Sequence, residues 1–452
     1  MNRLILSAVL MAAAGVLSAD AAYFTLDGIN YKTLDDSTVA VDGCGSSLTE
    51  ITVPATVEHN GRSYSVVSIA ESSFSSNRSL VTLKAAESVK EVGRQAFFLA
   101  SALREVYLPG VTTLGEDAFY LSGVGKVVLS DELTELPKDA FDGTKSKLEL
   151  DLSHVKIIGK TALRKCVMDN AVLSDGISLA QGAFQESQIA AMTVTGTVSL
   201  PAGTTVFDRG KVTDLTLVDI DFSSNRDAFN PTAENLTILQ KDNTTLSLSM
   251  KISAKTLYLD FDAAALQPAY GTAASPFNYM STLEKVTAGP LLKLVYDDMF
   301  SNCSKLNSVI LSASLTEVGN YAFGNCNAIK TVECAAMTPP VCAGDAFAAT
   351  VYKNAVLRVP EGCAEAYMNA DGWKQFATIE GSLAGIGDAV TDSECAVKIC
   401  GDRMCFICPE GTQVSVYSID GRLVYAGAAV ELTPGHGVYI VRVGGTIMRV
   451  AV

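Results

Sequence analysis

Phenylalanine recurs along this chain at a near-constant interval. The positions are Phe74, Phe97, Phe119, Phe141, Phe184, Phe207, Phe229, Phe277, Phe300 and Phe323, with Phe347 following 24 residues later. Single steps are 22 or 23 residues, and the two long ones, 43 and 48, span two intervals. Leu163 fills the first skipped place, within Thr161-Ala162-Leu163. Most of these residues follow an alanine or another small residue. A period between 20 and 30 residues marks a solenoid, in which each coil buries its apolar edge only against the next. Such a chain favours recognition along a surface over catalysis in a pocket.

A second row runs in step with the first. Leu80-x-x-Leu83, Leu103-x-x-Val106-x-Leu108, Val124-x-x-Val127-x-Leu129, Val212-x-x-Leu215-x-Leu217 and Leu306-x-x-Val309-x-Leu311 each end in an alternating stretch. Alternation of this kind is a short strand with its apolar side chains turned inward. Each coil therefore contributes a strand residue and an apolar plug to one core. A third row of small residues lies three places after the plug, at Cys166, Cys303 and Cys326, with Asn77 in an earlier coil.

The 452 residues, 48% of them apolar, exceed an ordinary single core, but a solenoid grows along one axis and escapes that limit. Net charge is −15 with no Lys/Arg cluster, which argues against a nucleic-acid partner. Residues 1–21 have the pattern of a secretory signal. Asn2-Arg3 is followed by the apolar run Leu4 to Leu17 and by Ala19-Asp20-Ala21, so Ala22 is the expected first residue of the exported chain. The apolar run is too short to span a bilayer, and no other stretch is long enough, so no transmembrane span is expected in the mature chain.

Residues 22–66 are rich in β-branched residues and carry Asp27-Gly28, Asp42-Gly43 and Asn60-Gly61, three hairpin signals. They predict a β cap over the open end of the solenoid. The repeat region is assigned to 67–380. Its middle, Asn230 to Pro276, keeps a strand row in Leu236-x-Ile238 and Leu257-x-Leu259, but the plug is weak, and a loop is expected near Pro268 to Pro276. At the far end Ala355 to Val359 predicts a last strand and Glu361 to Ala370 a short helix, with Trp373 and Phe376 closing the last coil. The alternative for Trp373 is an aromatic ligand platform. Residues 381–394 form a linker, and the alternation within 395–452 predicts a separate antiparallel β-sandwich.

Cys395, Cys400, Cys405 and Cys408 admit three readings: a bridge across a hairpin between Cys400 and Cys405, a zinc site, or free thiols. The repeat cysteines are read as small buried fillers. His59, His154 and His436 lie far apart, and no HExxH, phosphate loop or calcium loop occurs. No catalytic residue, metal or cofactor is assigned, and the chain is not expected to be an enzyme.

In each strand the residues flanking the inward valine point outward. They are Thr82 and Lys84, Glu105 and Tyr107, Lys126 and Val128, Asp214 and Thr216, Thr256 and Tyr258, Ser308 and Ile310. Tyr107, Val128, Tyr258 and Ile310 are the apolar members and the candidate partner-binding face. The alternative is that they pack only against one another along the sheet.

The segments Val92-Gly93-Arg94-Gln95-Ala96-Phe97, Leu114-Gly115-Glu116-Asp117-Ala118-Phe119 and Val318-Gly319-Asn320-Tyr321-Ala322-Phe323-x-x-Cys326 resemble BspA-type leucine-rich repeats. Val359-Pro360-Glu361-Gly362 through Tyr367 to Gly372-Trp373 resembles that family's last coil. The resemblance implies a mainly β, leucine-rich-repeat solenoid. It also implies an exported protein of the cell surface that adheres to host matrix proteins or other cells; glycan capture is a further reading beside it, though aromatic platforms are scarce at 7%. The alternative is an envelope scaffold with no soluble ligand. The tail, in Val414 to Arg422 and Gly437 to Val443, is similar to a C-terminal sorting domain of the type IX secretion system, with Arg449 where lysine is common. That likeness implies contact with the secretion machinery; an ordinary β-sandwich is the alternative.

Overall fold

The computed structural model describes residues 22–201, 203, 205–222, 228–241, 246, 252–262, 275 and 277–383, and the segments 396–400, 403–407, 412–418, 423–428, 431–432, 438–443 and 446–451. The expected signal sequence, the linker from residue 384 onward, and the expected loop at 268–276 except Ser275 lie outside these residues.

The phenylalanine row is the axis of the molecule. Phe74, Phe97, Phe119, Phe141, Phe184, Phe207, Phe229, Phe277, Phe300 and Phe323 are all buried, as is Leu163. Phe97 and Phe119 lie 4.9 Å apart and nearly parallel, as do Phe119 and Phe141. Phe323 and Phe347 repeat the same spacing at the far end. That spacing equals the separation of hydrogen-bonded strands, so plug and strand advance together. The stack turns edge-on only between Phe207 and Phe229, at 77°.

The backbone around each plug explains the small residue before it. In most coils the residues two before and two after the plug have positive φ, as Gln95 and Leu99 do around Phe97 and Asp117 and Leu121 around Phe119. Between them the chain turns tightly enough to pair with the next coil. Phe97 N–H donates to the Ala118 carbonyl at 2.7 Å, and Phe119 N–H to that of Ala140 at 2.8 Å. The glycine four before the plug has a separate cause. A Cβ on Gly115 would sit 2.4 Å from the Arg94 backbone nitrogen, so only glycine lets successive coils approach there.

The third row serves the same turn. Cys166, Cys303 and Cys326 donate their thiol protons to the carbonyls of Phe141, Phe277 and Phe300, at 3.2, 3.3 and 3.0 Å. Each thiol thus satisfies a buried carbonyl of the preceding coil. These three are free thiols, as are Cys44, Cys334, Cys342 and Cys363. Burial pushes Cys166 and Cys342 up to about 12, and burial likewise pushes Tyr31 up to about 12. A raised folded-state value means that the unfolded chain loses these protons first. The stability they confer is complete below the ordinary thiol range and is lost as pH rises from about 9 towards 12. The denaturant midpoint should therefore fall steadily between pH 9 and 11, and the repeat thiols should react with a thiol reagent only on unfolding. A flat midpoint across that range would contradict the burial argument.

At the N-terminal end, Tyr23–Leu26 and Ile29–Thr33 form a hairpin through Asp27 and Gly28, both with positive φ. Thr56–His59 and Arg62–Ile69 do the same through Asn60 and Gly61. Asp42-Gly43 is not the expected hairpin turn. It lies inside the strand Thr38–Cys44, where the register with Ile29–Thr33 shifts between Ile29 and Tyr31. Gly43 there has φ 112°, and a Cβ would meet the Ser73 carbonyl at 2.8 Å, so the residue forms a bulge packed on the first coil. The face sheet also begins within this segment: Glu50–Val53 pairs in parallel with Thr82–Ala85.

At the far end Val356–Pro360 pairs with Thr378–Leu383, and the helix Ala364–Asn369 lies between them in sequence. Trp373 is fully buried, and its indole N–H donates to the Pro340 carbonyl at 2.8 Å. Its position is that of a closing plug, beside Phe347, Tyr367 and Phe376.

The tail holds a three-stranded and a four-stranded antiparallel sheet. Met404 and Phe406 from one pack against Val414, Val416, Tyr439, Val441 and Val443 of the other, which makes a small sandwich. In the hairpin of Ala396–Cys400 with Arg403–Ile407, Cys400 stands opposite Arg403 and Cys405 opposite Lys398. Cys395 and Cys408 lie outside the described residues.

Candidate binding face

Each coil lays one strand into a long parallel sheet, and the side chains between the inward ones form its outer face. Near the N-terminal end this face is ordered by polar contacts between coils. The Lys84 ammonium lies over the Tyr107 ring at 5.7 Å. The Tyr107 hydroxyl donates to the Glu105 carboxylate at 3.0 Å, which holds the phenol above its ordinary range. Lys126 pairs with Glu149 of the next coil at 3.4 Å, which raises the ammonium in turn. Such ladders are solvated and weak singly, so they orient side chains more than they stabilise the coil.

Of the four apolar candidates, Val128 is exposed, while Tyr107 and Ile310 are half-buried. Tyr258 differs from expectation and is only 8% exposed. It lies in a cluster with Val218, Leu239 and Ile440, flanked by Tyr417. Ile440 and Tyr417 belong to the C-terminal four-stranded sheet, which therefore rests on the solenoid over Lys211–Asp221, Thr232–Leu239 and Thr256–Asp260. The Arg442 guanidinium pairs with Asp214 in the same contact. Alternation does turn Tyr258 outward, but onto another part of the chain.

The sheet also contains a step. Glu50–Val53 through Glu149–Leu150 make five strands, and a second sheet takes over with Val167–Leu173. Glu149–Leu150 pairs with only Lys126 and Val127 of the strand Lys126–Leu129. Val167–Leu173 is seven residues long and pairs with Gln188–Ser199 along its length, but only Val167 bridges back, to Lys147. A two-residue strand thus abuts a seven-residue one. The mismatch leaves a cleft of about 970 Å³, lined by residues from Arg104 to Val172 that include Val128. Leu148-x-Leu150-x-Leu152 alternates as a full strand would, so the sequence carried no sign of this gap.

Comparison with curated proteins gives no match. Among solved structures, the chain is similar to a leucine-rich cell-surface protein of Faecalibacterium prausnitzii, with 15% identity over 81% of this chain and 97% of that one, at a TM-score of 0.30. A leucine-rich repeat protein of Bacteroides ovatus gives 17% identity, 76% and 96% coverage and a TM-score of 0.28. The pneumococcal vaccine antigen PcpA gives 13%, 82% and 99%, also at 0.28. The family model of the BspA type leucine rich repeat region matches in six copies, within residues 67–191, 112–233 and 273–353. Those segments cover more than half of the chain and carry the plug, turn glycine and thiol rows described above, so the protein belongs to the BspA-type leucine-rich repeat family.

Proposed function

We propose that this is an exported cell-surface protein that binds macromolecular partners, host matrix or cell-surface proteins or glycans, through the outer face of its parallel sheet. The observation that carries this reading is the face itself. Coil after coil presents outward residues at fixed spacing on a rigid core, the form in which solenoids offer extended contact surfaces. The N-terminal part of the face, around Lys84, Tyr107 and Val128, is open, whereas the part around Tyr258 is occupied by the C-terminal sheet. The tail is proposed to be a sorting domain read by a type IX-like secretion machinery; its alternating strands and basic residue near the end support that role.

The test is binding of the purified mature chain to immobilised matrix proteins and glycans by interferometry. At least one micromolar interaction is expected. The paired change Lys84→Glu and Tyr107→Ala should weaken it at least tenfold while leaving the melting temperature within about 2 °C, because Lys84 is exposed and the half-buried Tyr107 lies on the outer face, away from the core. Absence of any interaction, together with unchanged adherence of cells lacking the protein, would favour an envelope scaffold.

A further inference from the structure

We propose that the step in the sheet is a docking groove for an extended, basic polypeptide segment, which adds there as the missing strand. The inference deepens the binding-face reading by naming a partner class, and it rests on that reading.

The hydrogen-bonding edges specify a backbone. In a parallel strand, successive residues aim their N–H and C=O groups to alternate sides. The Gly125 carbonyl accepts from Glu149 N–H, so Val127 and Leu129 share that direction. Pairing on this side ends at Val127, and Leu129 is the next position in phase. Across the step, the Val167 carbonyl accepts from Leu148 N–H, so Asp169, Ala171 and Leu173 aim back towards Leu129. Two parallel strand edges therefore face each other with no strand between them. An added segment running parallel to both would extend each ladder, the mode of recognition known as β-augmentation.

The floor and rim suit the same occupant. Beyond Leu150 the chain drops away from the sheet, and Leu150, Leu152 and Val155, all nearly buried, line the bottom of the cleft. Side chains on one face of an added strand would meet this apolar floor. The volume, about 970 Å³, lies at the upper end of the range for ligand sites. No phenylalanine, tyrosine or tryptophan lines it. At the rim the two nearest lysines are already engaged, Lys126 with Glu149 and Lys147 with Asp169. Among the described residues Asp151 accepts only from the Ser153 N–H two residues on, and Asp131 faces His154. Carboxylates outnumber cations around the opening, which favours lysine or arginine on the incoming segment.

The experiment uses the full mature chain and an array of fluorescent heptapeptides in which varied apolar residues alternate with threonine, one set with lysine at both ends and one with glutamate. Lysine-ended peptides should bind saturably below about 1 mM by anisotropy. The doubly charge-reversed variant, Asp151→Lys with Asp169→Lys, should lose at least tenfold for them and gain for the glutamate-ended set. Both positions lie on the surface, so folding is retained, and a melting curve checks this. Amide exchange at Leu129 and Ala171 should slow when peptide binds, which side-chain contact alone would not produce. No binding in either set, binding indifferent to the charge reversal, or binding without protection of those amides would each overturn the groove. Where one of these results overturns the groove, matrix-protein or glycan binding that persists in the parent chain leaves the sheet-face reading standing.

Discussion

Replacing Phe119 by alanine is expected to destabilise the repeat region by on the order of 3–5 kcal/mol, the range for a fully buried phenylalanine. The ring is completely buried and stacked between Phe97 and Phe141, 4.9 Å from each. Its removal leaves a gap between two flat rings fixed by their own backbone ladders. The coils cannot close over it without breaking the hydrogen bonds from Phe97 to Ala118 and from Phe119 to Ala140. In a quasi-one-dimensional fold both neighbouring interfaces weaken at once. The single tryptophan, Trp373, sits far away in the last coil and reports on that end alone. Its fluorescence should keep a transition close to the parent's, while far-ultraviolet ellipticity shows an earlier loss. The control is Phe98→Ala. Phe98 stacks on Tyr120 at 5.3 Å but is only half-buried, so its loss should cost about 1 kcal/mol. Equal effects at Phe98 and Phe119 would mean that the buried row is not the axis of the fold.

Deleting residues 384–452 is expected to leave a folded solenoid and, on the proposed sorting role of the tail, one that stays in the periplasm. The repeat region has its own closure around Trp373. The contact to the tail is a small apolar cluster of Val218, Leu239, Tyr258 and Ile440 beside the Asp214–Arg442 pair, so the deletion should change solenoid stability by about 1–2 kcal/mol. Tyr258 would become exposed, and nitration of that residue in the truncated but not the complete protein would show it. Export assays on fractionated cells check the second half. A truncated protein that still reaches the surface would leave the tail as an ordinary β module. One that fails to fold would make the tail part of the repeat core.

The regular part of this architecture was legible because every coil must solve the same problem. An apolar plug recurs in nearly every coil, and a turn glycine or a small donor in several of them, so period alone located the core. Features set by a mismatch between neighbours were not legible. Leu148 to Leu152 has the alternation of a strand, yet only Glu149 and Leu150 pair with the preceding coil, and the next coil lays down a strand of seven residues. Buried rings outside the counted row, Phe222 just before the degenerate middle and Phe261 within it, keep the core filled where the period falters. Asp42-Gly43 has the composition of a hairpin turn, but the first coil packs against it and draws it into a bulge. Tyr258 shows the same limit at longer range. Its direction follows from the strand, whereas its cover comes from residues well over a hundred positions later.

The place where the tail rests has a mechanical consequence. Five strands precede the step and ten follow it, and at about 4.8 Å per strand the row measures roughly 70 Å. Asp214 and Val218, which meet the tail, lie on the eighth strand of that row. If the C-terminal sheets are the point of attachment, the rod hangs from its midpoint like the beam of a balance. Each arm then extends about 35 Å to either side. A load on the open N-terminal arm would then act as a torque on the contact that Val218, Leu239, Tyr258 and Asp214 make with Ile440 and Arg442.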